Sequence, residues 1–151
     1  PHKRLNDNVQ YFLEHSGPND LMLVAGDIAK LDVIRDQKIK YLGNLQQNHL
    51  YSIYKACDKF VHLAWLDHCP NVVVDARACG CNIICSSAGG TIEIAGKSAT
   101  VIQEEEWNFE PVDLYSPPKL DFSAKVVNNI DSELDMKIIA KQYEKFMEDL
   151  L

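Results

Sequence analysis

Apolar residues along the chain occur in short runs that are separated by stretches with helical spacing. Five runs have the length and composition of buried strands, and polar or glycine residues follow them: 21–25, 39–42, 60–63, 83–85 and 100–102. Between the runs, apolar residues recur every three or four positions, as in Leu50, Ile53, Tyr54 and Cys57. This alternation predicts an α/β fold, with the runs forming one Rossmann-like, doubly wound parallel sheet that has helices on both faces.

The helices at the two ends of the chain are predicted from their apolar faces. Residues 5–15 carry Leu5, Val9, Phe12 and Leu13 on one side. A last helix is predicted over 133–150, with Asp131 or Ser132 as its cap. Asn48 and Asn71 are expected to cap helices over 49–57 and 72–79. Three prolines within 107–119 indicate an irregular segment, for which the expected anchors are Trp107, Phe109, Leu114 and Tyr115.

A sheet of this kind begins with a strand, and none of the apolar runs precedes the first predicted helix. We therefore expect the chain, 1–151, to be a single domain that is a fragment of a longer protein or has lost its first strand. A length of 151 residues is sufficient for one domain with a substantial core.

Charge and cysteine content narrow the class of function. The formal net charge of −7 argues against a nucleic-acid-binding domain, because such domains are usually basic. No apolar run approaches the ~20 residues of a membrane span. The five cysteines are odd in number and fit buried free thiols in a reducing compartment. We expect a cytoplasmic protein, with the inner face of a membrane as an option.

Polar and glycine residues that could carry chemistry follow two of the predicted strands. Asp67 and His68 come after the run 60–63, whereas Gly89, Gly90 and Glu93 come after the run 83–85. Ligands of parallel α/β sheets bind beyond the carboxyl ends of the strands. The stretch from 59 to 93 is therefore the predicted binding region.

Within this stretch, two motifs occur in a fixed order. Asp67 and Asp75 enclose seven residues, and Ala76, Arg77, Ala78, Cys79 and Gly80 follow directly. Downstream, residues 89–93 read Gly-Gly-Thr-Ile-Glu. The series resembles the retaining, nucleotide-sugar-dependent glycosyltransferases of group 1, which form family 4 in the usual classification. Those enzymes have two glutamates at this spacing and a Gly-Gly-x-x-Glu loop. The aspartates here are one methylene shorter, so a contact could be lost or made through water.

The resemblance implies the C-terminal, donor-binding half of a two-domain enzyme of the GT-B type. The reaction would be retaining transfer of a sugar from a nucleoside diphosphate to an acceptor hydroxyl, in polysaccharide or glycoconjugate biosynthesis. A saccharide or lipid-linked acceptor would bind an N-terminal domain that this chain lacks, so the isolated domain would be inactive. By resemblance, Asp67 holds the transferred sugar, Asp75 holds the donor ribose, and Lys3 binds the diphosphate.

Further donor-binding candidates come from the same region and from the loop that the family places near the nucleobase. Backbone N–H groups at 71–73 and 90–92 could point at phosphate oxygens. The complete set of donor-binding candidates is Lys3, Tyr41, Gly43, His68, Cys69, Asn71, Val72, Gly89, Gly90, Thr91 and Glu93. For Tyr41 and Gly43, ordinary packing is the stronger interpretation.

Several alternatives stay open. Lys3 and Arg4 could simply be solvated, as is expected for the acidic run 104–106. His62 could face the cleft, or it could lie in the core with its hydrogen bonds satisfied.

A zinc site built from His62, His68, Cys69, Cys79 and Cys81 is disfavoured, because Cys79-x-Cys81 lacks the usual ligand spacing. No Asp-x-Asp element is present, so neither a metal nor another cofactor is expected. A dinucleotide-binding domain would need a Gly-x-Gly-x-x-Gly fingerprint, which the chain lacks. The remaining functional alternative is a non-catalytic module that binds a nucleotide sugar.

Overall fold

The computed structural model describes residues 3–29 and 31–150. Six strands are present in this part of the chain: β1 Met22–Ala25, β2 Ile39–Gly43, β3 Lys59–His62, β4 Asn82–Ser86, β5 Thr100–Ile102 and β6 Lys125–Val127. The helices in the same part are α1 Leu5–His15, α2 Gln47–Ala56, α3 Asn71–Ala78, α4 Thr91–Ala95 and α5 Met136–Glu148. All five predicted strands are confirmed to within one residue at each end.

The strand pairings define an α/β fold in which parallel neighbours dominate. β1 pairs with β2, and β3, β4 and β5 pair in that order, all of them in parallel. β6 adds an antiparallel edge to β5. The predicted α/β class is therefore confirmed, and the architecture is consistent with a Rossmann-like fold. Sequence reasoning missed β6, because a strand of three residues leaves almost no periodic signal.

The expectation of one continuous sheet was wrong for the described residues. Their strands form a two-stranded sheet, β1–β2, and a four-stranded sheet, β3–β4–β5–β6. No described strand pairs with the outer edges of β1 and β3 to join the two sheets. Instead, α1 packs on both, because Val9 enters the core of the β1–β2 sheet whereas Tyr11 enters that of the other sheet.

The core of the four-stranded sheet shows why helices cover both of its faces. Successive side chains of a strand point to opposite sides. Accordingly, Ile83 and Cys85 pack against α2, α3 and α4, whereas Ile84 packs against Tyr11 of α1 and Leu120. The predicted two-sided burial is thus confirmed for this sheet.

Three predicted helix caps were wrong. Asn48 lies inside α2, and Asn71 is the first residue of α3, which has Pro70 at its cap position. α5 starts later than predicted, because Asp135 accepts a hydrogen bond from the Lys137 N–H at 2.8 Å. Asp131 and Ser132, the two candidates for the cap of this last helix, have other partners. Asp131 pairs with Lys97 at 2.8 Å, and the Ser132 hydroxyl accepts a hydrogen bond from Arg77 at 2.7 Å.

The segment 107–119 has the predicted irregular backbone, but its proposed anchors are not buried. Phe109 is 81% exposed and Tyr115 is 72% exposed. Leu120, just beyond the segment, is the residue that enters the core.

The apolar side of α5 is also uncovered, since none of the residues of this helix is buried. Apolar periodicity predicted the helix, but periodicity does not show what a helix packs against.

The structure tests two predictions from the sequence: that the cysteines are buried free thiols, and that the chain has no membrane span. All five cysteines are free thiols. Cys85 is fully buried, and burial raises its pKa to about 12. Cys69 is exposed, so the expectation that all of the thiols are buried was too broad. Across residues 3–29 and 31–150, every helix falls short of the length or apolar character required to cross a bilayer.

The packing predicts that two isoleucine substitutions differ greatly in their effect on the free energy of unfolding. Ile83 is 1% exposed in the core, whereas Ile138 on α5 is 44% exposed. Ile83→Ala should lower the free energy of unfolding by about 2–5 kcal/mol, because it removes buried methyl groups and leaves a cavity. Ile138→Ala, the matched control, should change it by less than about 0.5 kcal/mol. Urea denaturation of both variants checks this; equal losses would contradict the described core.

Candidate functional site

The candidate site lies where the chain leaves β3 and β4. Asp67, in the loop after β3, forms an isolated parallel bridge with Gly89, in the loop after β4. The Gly90 N–H donates to the Asp67 carbonyl at 2.9 Å. The two loops that were singled out in the sequence therefore meet at the carboxyl ends of neighbouring strands.

The close approach of these loops requires the glycine pair. A side chain at Gly90 would overlap the carbonyl oxygen of His68. A Cβ at Gly89 would lie 2.7 Å from the Asp67 carbonyl oxygen, and the φ of Gly89 is +84°. The expected role of the Gly90 N–H as a phosphate donor needs correction, because that N–H is bonded to Asp67. The Val73 N–H is likewise occupied, by the Pro70 carbonyl at 2.9 Å.

The Asp67 carboxylate is the centre of a charged cluster. Lys3 Nζ donates to Asp67 Oδ2 at 2.5 Å, and His62 Nε2 lies 2.9 Å from the same oxygen. His62 ends β3 and is 7% exposed, so it is buried and also faces the site. The interpretation of Lys3 as merely solvated is wrong in this structure, although its side chain is 55% exposed.

Burial and hydrogen bonding act in opposite directions on the two titrating partners. Burial raises the pKa of Asp67, but the hydrogen bonds from Lys3 and His62 outweigh it, and the pKa lies below its usual range. Burial also lowers the pKa of His62, and the bond to Asp67 only partly opposes this. At neutral pH these directions favour a neutral imidazole beside a carboxylate, and a hydrogen bond between the two requires that Nε2 carries the proton.

The start of α1 is fixed by an ion pair that sequence reasoning missed. The guanidinium of Arg4 makes a bidentate pair with Glu104, with both N–O distances at 2.7 Å. It also donates to the carbonyls of Leu63 and Pro118. The side chains of Arg4 and Glu104 are 0% and 6% exposed. The expected solvation of Glu104 was therefore wrong, and the alternative of a solvated Arg4 is excluded. Their separation of 100 positions left no local signal.

Two further polar side chains complete this arrangement. Asn8 accepts a bond from the Leu63 N–H at 2.8 Å and donates to the Lys3 carbonyl at 3.2 Å. The Ser86 hydroxyl donates to Glu104 and accepts from the Ala88 N–H. The backbone of Lys3, the residue after β3 and the loop after β4 are thus joined by buried and partly buried hydrogen bonds.

Asp75 lies elsewhere, on α3 opposite α2. It lines a cleft of about 270 Å³ together with Tyr51, Lys55, Ala78 and Cys79. Gln47 donates to the Tyr51 hydroxyl at 2.5 Å and so orients that ring. Asp67 is not part of this cleft, so the structure does not bring the two aspartates together in one cavity.

The remaining candidates divide by their surroundings. His68 and Cys69 are exposed in the loop, Asn71 and Val72 are exposed in the first turn of α3, and Glu93 is exposed on α4. Thr91 is buried, and its hydroxyl has no hydrogen-bond partner among the described residues.

Tyr41 and Gly43 belong to the other sheet. Tyr41 packs in the β1–β2 core and donates to the Ile34 carbonyl at 2.5 Å, while the Gly43 carbonyl accepts from the Gly26 N–H. These contacts give Tyr41 and Gly43 structural roles.

In the described part of the chain, no group of three or more His, Cys, Asp or Glu side chains is arranged to hold a metal ion. The cysteines near α2 make other contacts instead. Cys81 donates through its thiol to the carbonyl of Tyr54 at 3.1 Å and is buried. Burial also raises the pKa of this thiol, which disfavours the thiolate that a metal would need.

A parallel-dominated α/β fold with an acidic residue after β3 and a glycine pair after β4, in loops that touch, is typical of enzymes that bind their ligands at the carboxyl ends of the strands. Residues 2–108 match the profile of a family described as Glycosyl transferases group 1. The match covers well over half of the chain, which therefore belongs to the group 1 glycosyl transferases. Members of this family transfer a sugar from a donor to an acceptor. Searches of curated proteins and of solved structures gave no significant match.

The loop contact predicts that Gly90 tolerates no side chain. Gly90→Ala should lower the free energy of unfolding by about 1–3 kcal/mol, because either the His68 carbonyl or the whole loop must move. Gly17→Ala is the matched control, since its Cβ would lie 3.6 Å from Asp20 in ordinary contact. Thermal unfolding of both variants checks this, and a Gly90→Ala protein as stable as the control would show that the loops do not touch.

The lowered pKa of His62 predicts how stability depends on pH. The unfolded imidazole takes up a proton near its ordinary pKa of 6.5, whereas the folded one does so only at lower pH. The free energy of unfolding should therefore fall as the pH drops below 6.5. Asp67 adds a loss only in the more acidic range below 3.8.

Urea midpoints at about pH 7 and about pH 5.5, on either side of the ordinary histidine pKa, measure the first effect. The difference between them should shrink in His62→Gln and persist in His49→Gln, which replaces an exposed histidine. An unchanged difference in His62→Gln would assign the acid sensitivity to other groups.

Proposed function

We propose that the chain is the donor-binding, C-terminal domain of a family 4 retaining glycosyltransferase and that it binds a nucleoside-diphosphate sugar. The observation that carries this proposal is the cluster of Lys3, His62 and Asp67 beside the paired loops. Asp67 accepts from both neighbours through Oδ2, and the bridge to Gly89 fixes its backbone. A carboxylate held in this way is suited to accept hydrogen bonds from sugar hydroxyls.

Lys3 is the proposed ligand of the diphosphate. Its side chain is 55% exposed, so the ammonium can turn from Asp67 to a phosphate oxygen without crossing the core. The first N–H groups of α3, at Asn71 and Val72, lie at the end of the same loop as Asp67 and have no carbonyl partners within the helix. The ammonium of Lys3 and the free N–H groups at the start of α3 would allow a protein with a net negative charge to bind an anion.

The cleft beside α2 is the proposed nucleoside site. Asp75 would accept bonds from the ribose hydroxyls, and the oriented ring of Tyr51 offers an apolar face to the nucleoside. Lys55 lies in the same cleft and adds positive charge. Tyr51 and Lys55 are thus added to the donor-binding residues that the sequence suggested.

The proposed chemistry relies on positioning and on charge. In retaining transfer, the bond between the sugar and the diphosphate breaks through an oxocarbenium-like state, and the leaving oxygens gain negative charge. Lys3 and the α3 N–H groups would stabilise that charge, while Asp67 would orient the sugar ring. No metal is part of this proposal, because the sequence has no Asp-x-Asp element, and the nucleotide sugar is a substrate and not a cofactor.

A second candidate is a module that binds a nucleotide sugar without transferring it. Both acids are aspartates where the family has glutamates, and Asp67 is already engaged by Lys3. Detectable transfer or hydrolysis of a nucleotide sugar would favour the enzyme, whereas tight binding without turnover would favour the module.

Calorimetry with paired ligands tests the donor site: UDP and UDP-glucose, GDP and GDP-mannose, ADP and ADP-glucose. Asp75→Ala should weaken binding of the preferred diphosphate by about 10-fold, because ribose hydroxyls lose a charged acceptor. Asp75→Glu should bind at least as well as the original chain. Asp67→Asn should not weaken binding of the diphosphate, because Asp67 is assigned to the sugar, and should weaken binding of the sugar conjugate.

Asp58→Ala serves as the control, since this exposed side chain makes no hydrogen bond with the described residues. Circular dichroism confirms folding of each variant. A folded Asp75→Ala protein that binds every diphosphate as the original does would remove Asp75 from the donor site. Absence of binding to the whole panel would argue against a nucleotide-sugar donor.

A further inference from the structure

The two donors on Asp67 differ in how firmly they are held. We infer that His62 is a positioning residue that orients Asp67 toward the sugar of the donor while Lys3 exchanges between Asp67 and the diphosphate. This inference rests on the proposed donor site and adds a residue to it. Both donors bind Oδ2, and no described residue donates to Oδ1.

His62 is fixed by its place in the sheet. It pairs with Cys85 of β4, which is fully buried, and its ring is stacked against Phe60 at a centroid distance of 6.1 Å. Its side chain is 9% exposed. β3 is the edge strand of the four-stranded sheet, but the imidazole still keeps one orientation, because its backbone is paired with β4 and its ring is held by packing.

Lys3 is held much less firmly. It lies before the first turn of α1, and its side chain is 55% exposed. A lysine ammonium has a flexible stem and exchanges readily between acceptors. If Lys3 turns to a phosphate oxygen, Asp67 loses one of its two donors, and only His62 keeps the carboxylate in its orientation.

The orientation leaves one oxygen available to the ligand. With Oδ2 bonded to His62, Oδ1 is the free acceptor of Asp67 among the described contacts. A neutral imidazole leaves the negative charge on the carboxylate, so a sugar hydroxyl would donate a charge-assisted bond to it. A carboxylate without this support would sample several rotamers and would lose entropy on binding.

The experiment compares two substitutions of His62 by calorimetry. His62→Leu keeps an apolar side chain of moderate size but has no donor, whereas the amide of His62→Gln can still donate to Asp67. The probes are the diphosphate that the original chain prefers and its sugar conjugate, from the paired panel above. Circular dichroism verifies folding before each titration.

We expect His62→Leu to weaken binding of the nucleotide sugar by about 10-fold, or ~1.4 kcal/mol, and to change that of the free diphosphate by less than about 2-fold. His62→Gln should retain most of the affinity for the sugar conjugate. In an Asp67→Asn background, His62→Leu should cause little further loss, because His62 acts through Asp67.

Other results would overturn the inference. Equal weakening of both probes by His62→Leu would mean that His62 only supports the fold. Additive losses in the double variant would mean that it acts independently of Asp67. If the original chain binds neither probe, the proposed donor site itself fails; if it binds the sugar conjugate and His62→Leu binds it equally well, only the role of His62 fails.

Discussion

The buried ion pair between Arg4 and Glu104 holds the site together. Arg4 belongs to the start of α1 and Glu104 follows β5, and the same guanidinium binds the carbonyls of Leu63 and Pro118. One side chain therefore connects four segments that are distant in the sequence. Because the pair is removed from water, loss of either partner would leave an unpaired charge inside the protein, which costs about 3–5 kcal/mol.

This ion pair also determines where Lys3 lies. Arg4 has a left-handed backbone, with φ 49°, which is unusual for a residue other than glycine. The hydrogen bonds of its guanidinium, together with the bond from Asn8 to the Lys3 carbonyl, keep the chain in that conformation. The direction of the chain before α1, and with it the approach of Lys3 to Asp67, thus follows from contacts made by neighbouring residues.

The strands and most helices were predictable because their signals are local. The run around Ile84 is apolar throughout, as expected for a strand covered on both sides, and α1 shows helical spacing. Relations between distant segments were not predictable. Nothing near Arg4 indicates Glu104, and nothing near His62 shows that its ring reaches Asp67. The resemblance assigned Asp67 and Asp75 to two parts of one donor, but it did not show that the helix turns Asp75 towards α2.

The bridge between Asp67 and Gly89 has a mechanical consequence. The loops after β3 and β4 share a backbone hydrogen bond and leave no space for a side chain between them. They therefore form one hydrogen-bonded unit at the carboxyl end of the sheet. A ligand that displaces one loop has to break this bond or move the other loop with it. The shape of the site would then be set by the two loops together and not by either loop alone.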